Sequence, residues 1–354
     1  ALPAIDPDAR RRRLTAVVNA ASLARTEPAV FLIEDAQWID AVSEAMLVDF
    51  LSVIPQTPSL VLVTSRPAYR GALTRVPGAQ RIALAPLSDA DTAVLIGELL
   101  GSDPSVGGPV AMIVERAAGN PFFAEEMVRE LVERGVLAGE RGRYACRADV
   151  AELSVPATVQ AAIEARIDRL VTPAKRTLNA ASVIGARFEA DLLAPLGIDA
   201  AFDELLGTDL IYQVRLTPSP EYAFRHPLIH AVAYESQLKS GRAELHRRLA
   251  AAIEARDPAA AERNAALIAE HLEAAGDLPA AYGWHMRAGA WATNRDLGAA
   301  RLGWERAREI ADQLPDRSAD QLAMRIAPRT MLMSTMLYVG DSTDFDKRYG
   351  EFRD

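Results

Sequence analysis

The sequence predicts an α/β segment at the N-terminus followed by a mostly α-helical chain, and three observations carry that prediction. Two short apolar runs, residues 29–33 and 60–63, flank a stretch of helical periodicity, the order expected of a parallel strand pair and its crossover. From Asp89 onward apolar residues recur at helical spacing almost without relief. A strand-like pattern returns at residues 210–216 and 221–225, separated by the turn Thr217-Pro218-Ser219-Pro220.

The elements follow in order. Residues 14–24 have helical spacing, which Glu27-Pro28 ends before the first strand. Residues 43–53 read as a helix, 55–59 as a turn, and 60–63 as a second buried strand running into Thr64-Ser65-Arg66-Pro67. A third strand is expected at 81–84, leading to Ser88-Asp89-Ala90-Asp91, an N-cap with an acid three residues on. Helices are expected at 91–100, 109–118 and 121–134, with Gly119-Asn120-Pro121 as punctuation and a short hairpin around Gly139 and Gly142. A boundary is expected near Leu153, after which Val155-Pro156 opens another helix. Helices at 157–170, 173–184, 189–196 and 201–208, followed by the two strand-like pieces, look like a winged helix. From Arg242 the chain is Ala-rich and helical, broken at Asp257-Pro258, Gly276-Asp277-Leu278-Pro279, Asp296 and Leu314-Pro315-Asp316. Helices of that length between short turns suit antiparallel pairs stacked as in tetratricopeptide repeats. The similar helix entries at 275–281 and 296–300 support this.

With 354 residues, 50% hydrophobic and 25% charged, the chain suits two or three globular domains. The net charge of −9 argues against an extended nucleic-acid surface, and Arg10 to Arg13 reads as a solvated helix face. Cys146 is the only cysteine, which excludes an internal disulfide and a cysteine metal cluster and points to a reducing, cytoplasmic compartment. No apolar stretch reaches the roughly 18 residues of a membrane span, residues 330–339 coming nearest. No secretory signal is read.

The chemistry concentrates at Phe31-Leu32-Ile33-Glu34-Asp35-Ala36-Gln37-Trp38-Ile39-Asp40. An apolar strand that ends in paired carboxylates places them where parallel sheets bind ligands, and two carboxylates there can hold hydrated Mg²⁺ and polarise a water. That is one half of a P-loop nucleotide site. The other half is absent from the sequence. A phosphate-cradling Gly-Lys-Ser/Thr needs lysine after glycine, but Lys175, Lys239 and Lys347 follow Ala174, Leu238 and Asp346. Starting at Ala1 and entering a strand pattern so soon, the chain reads as a piece of a longer protein.

The order of these landmarks resembles one known family, the STAND-type signal-transduction ATPases. These are P-loop proteins found in large bacterial LuxR-type regulators and in adenylate cyclase–ATPase fusions. The residues carrying the resemblance are 31–40, Val-Leu-Val-Thr-Ser-Arg-Pro at 61–67, Ala-Gly-Asn-Pro-Phe-Phe-Ala-Glu-Glu at 118–126, and Phe-Arg-His-Pro-Leu-Ile at 224–229. Val232 to Ser236 and Glu-His-Leu-Glu-Ala-Ala-Gly-Asp at 270–277 extend it.

The resemblance implies four regions: the C-terminal part of a P-loop NTPase domain at 1–88, a helical domain at 89–153, a winged-helix-like domain at 154–240 and truncated TPR-like repeats at 241–354. It implies ATP/ADP and Mg²⁺ as cofactors of the intact parent. Glu34 and Asp35 would face the metal, with Asp35 also positioning the attacking water. Arg66 would sense the γ-phosphate. Gly119, Asn120 and Pro121 would form the turn whose proline packs on adenine, and His226 would touch the β-phosphate of bound ADP. ADP/ATP exchange would control an output such as transcription or cyclic-nucleotide synthesis. A protein partner or small inducer would bind the helical repeats, and a homo-oligomer is a further partner state. Because the family's P-loop strand is expected between the two strands of residues 29–33 and 60–63, the chain alone is expected to bind little ATP and to be inactive. Two other readings stand beside this one, a degenerate protein-binding scaffold and a winged-helix DNA-binding regulator. Asp203 and Glu204 on the would-be recognition helix speak against the second.

Overall fold

The computed structural model describes residues 7–147, 157–217, 219–314 and 319–335, which are mostly helical with three small sheets. The chain divides into two units, residues 1–84 with 292–299 and residues 85–291 with 300–354.

The first unit holds α1 (Pro7–Leu23), β1 (Ala29–Ile33), α2 (Ala41–Val53) and β2 (Ser59–Val63). The strands pair directly and in parallel, Val30 opposite Leu60 and Leu32 opposite Leu62. Within this chain the pair therefore closes on itself and leaves no gap between the two strands. Helix α2 starts at Asp40, whose carboxylate accepts from the Val42 and Ser43 amides at 2.9 Å each. The Ser43 contacts hold that carboxyl below its ordinary range.

One sheet face is used: Phe31 meets Phe50 of α2 edge-on with ring centroids 5.4 Å apart. The opposite face is bare, with Val30 68%, Leu32 58%, Leu60 53% and Leu62 47% exposed. Burying four such side chains is worth about 1.5–3 kcal/mol each, together comparable with the stability of a whole domain. The expected strand at 81–84 is absent, and the segment is irregular. Ile82 and Leu84 recur at strand spacing, but they are 80% and 90% exposed and no described strand pairs with them. Side-chain pattern without a hydrogen-bonding partner does not make a strand.

In the second unit α3 (Asp89–Leu100), α4 (Gly107–Ala117) and α5 (Pro121–Glu133) pack around Ile96, Leu100, Ile113, Met127 and Leu131, each with no exposed surface. Ser88 caps α3 as expected, its hydroxyl accepting from the Asp91 amide at 3.1 Å. The hairpin β3 (Leu137–Glu140) and β4 (Arg143–Cys146) follows, antiparallel. The boundary expected near Leu153 lies outside the described residues.

Next come α6 (Val159–Arg169), α7 (Thr172–Ile184), β5 (Arg187–Glu189), α8 (Asp203–Gly207), β6 (Ile211–Arg215), β7 (Glu221–Phe224) and α9 (Pro227–Glu235). The three strands form an antiparallel sheet in the order β5-β7-β6. The helix expected at 189–196 is instead the end of β5 and two 3₁₀ turns, Ala190–Leu192 and Ala194–Leu196. Glu189 pairs with Glu221 in the sheet, and Pro195 has no amide to extend a helix.

The remaining helices are α10 (Lys239–Arg256), α11 (Ala265–Ala274), α12 (Leu278–Ala292), α13 (Leu297–Gln313) and α14 (Ala319–Ser334). The breaks at Asp257-Pro258, residues 276–279 and Asp296 fall where the sequence indicated, whereas Pro315-Asp316 lie outside the described residues. The two similar entries share a device: Asp277 accepts from the Ala280 amide at 3.3 Å and Asp296 from the Ala299 amide at 3.0 Å. Among the described residues no helix is long and apolar enough to cross a membrane.

Helices α10 and α11 meet at a pair of buried histidines. His246 Nδ1 lies 3.0 Å from His271 Nδ1, and its Nε2 lies 2.9 Å from the Tyr234 hydroxyl of α9. One neutral arrangement satisfies both: Tyr234 donates to His246 Nε2, and His246 Nδ1–H donates to His271. Burial, reinforced by His271 and Arg242, pushes His246 down to about 4, and burial also lowers His271. A histidine depressed in the folded state stabilises above its unfolded value and loses that contribution as pH falls through the folded value. Stability should therefore be flat above about pH 6.5 and fall by about 2 kcal/mol toward pH 4, lowering Tm by about 5 °C. Thermal melts of wild type and H246Q across that window test this; a parallel decline in both would remove His246 as the cause.

Candidate functional site

The acidic strand end is built on a strained turn. Beyond β1, Asp35 adopts a left-handed backbone, φ 55 and ψ 44, and opens a 3₁₀ turn, Ala36–Trp38. A non-glycine residue there costs about 1 kcal/mol, which neighbouring bonds must offset. They come from the end of β2. The Asp35 amide donates to Thr64 Oγ1 at 3.0 Å, the Ala36 amide to the Thr64 carbonyl at 2.9 Å, and the Thr64 amide to the Ile33 carbonyl at 2.9 Å.

Gln37 joins the two strand ends. Its Nε2 donates to Asp35 Oδ1 at 2.9 Å, and its Oε1 accepts from the Arg66 amide at 3.0 Å. Asp35 is thus half-buried and oriented, whereas Glu34 and Arg66 are exposed at the same end. The loop after Arg66 is tied to α2 through the Tyr69 hydroxyl, which donates to Glu44. Burial, with Glu44 beside it, pushes the Tyr69 phenol up to about 12, so it keeps its proton. Sequence reasoning named Glu34, Asp35 and Arg66 but missed the roles of Gln37 and Thr64, whose side chains hold Asp35 and, through Gln37, the Arg66 amide. Asp40, a cap, belongs to α2.

The second unit assembles the other named residues. Helix α4 ends in left-handed Ala118 (φ 46) and Gly119 (φ 74), which turn the chain into α5. A Cβ at Gly119 would lie 2.4 Å from the Leu87 carbonyl oxygen, so only glycine fits. The Gly119 carbonyl accepts from the Leu87 amide at 2.9 Å. Asn120 caps α5, accepting from the Phe123 amide at 3.2 Å, and Pro121 occupies the first helical position.

The next residue makes the decisive contact. Phe122 stacks on the imidazole of His226, centroids 3.8 Å apart and planes 12° from parallel. His226 caps α9, its Nδ1 accepting from the Leu228 amide at 3.1 Å. That bond fixes the neutral tautomer and leaves the ring proton on Nε2, a donor suited to an oxyanion. The turn at 119–121 and His226, remote in sequence, are thus neighbours at the N-termini of two helices, where backbone amides favour negative charge. His230, one turn on, meets the Ser182 carbonyl at 2.9 Å and is lowered by burial, a packing role.

Each unit offers part of the chemistry a Mg²⁺-nucleotide needs. In the first, Glu34 and Asp35 supply hard carboxylate oxygens and Arg66 a fixed cation; in the second, His226 supplies a neutral donor. No residue of the sequence supplies a lysine after glycine for the phosphates. Among the described residues no three His, Cys, Asp or Glu side chains group as metal ligands. Helix α8, five residues long, begins with Asp203 and Glu204, and Glu204 accepts from the Val171 amide at 3.1 Å. It offers no basic face to a DNA groove.

No protein-family model and no solved structure matches the chain. A curated relative is an uncharacterized protein of Rhizobium meliloti (strain 1021), 28% identical over 342 residues that cover 92% of this chain. The chain spans about a third of that relative's length, 32%.

Proposed function

We propose that this chain is part of an ATP-dependent signal-transduction switch of the STAND type, in which ADP/ATP exchange controls a regulatory output. The single observation that carries the reading is the Phe122–His226 stack. It brings together a glycine-proline turn and a histidine that the resemblance assigns to adenine and the β-phosphate. Support also comes from the strained, tethered Asp35 at the carboxyl end of a parallel strand pair, with Arg66 beside it. In this reading residues 1–88 belong to a P-loop sheet, 89–153 to its helical domain, 154–240 to a winged-helix-like domain and 241–354 to helical repeats.

Glu34 and Asp35 would hold Mg²⁺, and Pro121 and His226 would contact the nucleotide. The bound nucleotide supplies the charge difference between two states, and the chain's own residues report it. A P-loop segment from outside these residues would complete the site and use the bare apolar face of β1 and β2. The proposed compartment is cytoplasmic, and the proposed partners are a small inducer or protein on the repeats and a second copy of the switch.

The test compares residues 1–354 with a longer chain that carries an upstream Gly-Lys-Ser or Gly-Lys-Thr. Calorimetry is expected to show no saturable ATP or ADP binding to residues 1–354 and micromolar binding to the longer chain. His226→Ala should weaken ADP about tenfold while leaving ATP nearly unchanged, the loss of one charge-assisted hydrogen bond. Equal losses for both nucleotides would remove His226 as the reporter. A longer chain that binds neither would overturn the nucleotide reading and favour the scaffold.

A further inference from the structure

A cleft in the second unit, away from the residues assigned above, has the lining of a small-molecule site. It has a volume of about 280 Å³ and lies between α5, the β3–β4 hairpin and the turn joining α8 to β6. That is near the lower limit of ligand pockets, about 300 Å³, and suits a molecule of amino-acid size. Its apolar part comes from Leu99, Val128, Val132 and Tyr144.

The charges around it are of both signs, and most are already engaged. Arg129 pairs with Asp209 at 3.3 Å, and Glu133 with Arg166 at 3.1 Å and Arg169 at 2.8 Å. Glu125 and Arg141 also line the cleft, and their side chains make no ion pair or hydrogen bond among the described residues. A simple anion drawn to Arg141 would face the carboxylates of Glu125, Glu133 and Asp209, and a simple cation drawn to Glu125 would face two arginines. A ligand carrying both charges satisfies both groups.

The walls are also fixed in advance. Buried Arg166 donates at once to Glu126 of α5 and to the Thr208 carbonyl of the opposite wall. Asp209 holds a left-handed backbone, φ 52, at the turn. A ligand therefore meets a preformed cleft and does not have to order one.

We propose that this cleft binds a small zwitterion with an apolar side chain, of the amino-acid class, its carboxylate on Arg141, its ammonium on Glu125 and its side chain on Val128, Val132 and Tyr144. This stands independently of the nucleotide reading. The test is calorimetry and thermal shift of the full 354-residue chain with L-leucine and L-phenylalanine. Three companions are glycine, N-acetyl-leucine, which lacks the cation, and leucine amide, which lacks the anion.

Saturable binding of leucine or phenylalanine is expected, weakened about tenfold or more by loss of either ligand charge. Arg141→Ala and Glu125→Gln should each reproduce the matching loss while leaving the ligand-free Tm unchanged, and glycine should bind more weakly than leucine. The ligand analogues give their answer without altering the chain. No saturable binding of either amino acid up to about 100-fold above its expected millimolar Kd would overturn the site. So would binding equal to that of N-acetyl-leucine, or binding that both variants leave intact.

Discussion

Arg166→Ala is expected to destabilise the second unit by about 3–5 kcal/mol. Arg166 is 2% exposed, and its guanidinium serves three partners: Glu126, Glu133 at 3.1 Å and the Thr208 carbonyl. Removal leaves Glu126, also 2% exposed, as a buried carboxylate without its cation, and a carbonyl without its donor. The penalty comes from those stranded groups more than from the net worth of the pair, because desolvating both charges offsets most of their attraction. A double variant, Arg166→Met with Glu126→Gln, should therefore recover at least half of the loss. Urea denaturation of the two variants reads this directly. A double variant as unstable as Arg166→Ala would overturn the stranded-charge account.

Little of this network was legible in the sequence, and the reason is physical. Glu126, Glu130 and Glu133 on α5, like Arg166 and Arg169 on α6, lie at three- and four-residue spacing, the pattern of solvated helix faces. Only the pairing of the two helices turns those faces inward. The strand pair, the hairpin and the helix breaks were readable because each rests on local chemistry: β-branched runs, Gly-rich turns and Asp caps. Residues 81–84 and 189–196 were misread where a partner strand decides the outcome, absent for the first and supplied by Glu221 to the second.

The candidate site divides in the same way. Glu34, Asp35, Arg66 and Gly119-Asn120-Pro121 announce themselves by residue type and order. The left-handed Asp35, the Gln37 tether and the Phe122–His226 stack depend on contacts between segments far apart in the chain. Sequence order could suggest that the turn and His226 share a task. Their adjacency is a property of the fold.

Gly289→Ala is the second substitution with a large expected effect, because two helices touch at backbone distance there. A Cβ at Gly289 of α12 would lie 2.2 Å from Trp304 Nε1 and 2.5 Å from Cδ1. Trp304 of α13 is 2% exposed and cannot swing aside into solvent. Facing it, a Cβ at Gly303 would sit 3.0 Å from the Gly289 amide nitrogen, so the helix backbones cannot part locally without losing both contacts. Alanine gains about 1 kcal/mol in helix propensity, whereas forcing a methyl into a filled contact costs about 3 kcal/mol or more. Overpacking should win by about 2 kcal/mol.

Gly283, on the same helix, meets nothing within 4 Å, so Gly283→Ala keeps the propensity gain without the clash. It should stabilise by about 0.5–1 kcal/mol. Opposite signs for one chemical change on one helix isolate the packing term. Near-UV circular dichroism should lose the Trp304 contribution to the tryptophan signal in Gly289→Ala and keep it in Gly283→Ala. Stabilisation by both would mean that α12 and α13 do not meet at Trp304 in solution.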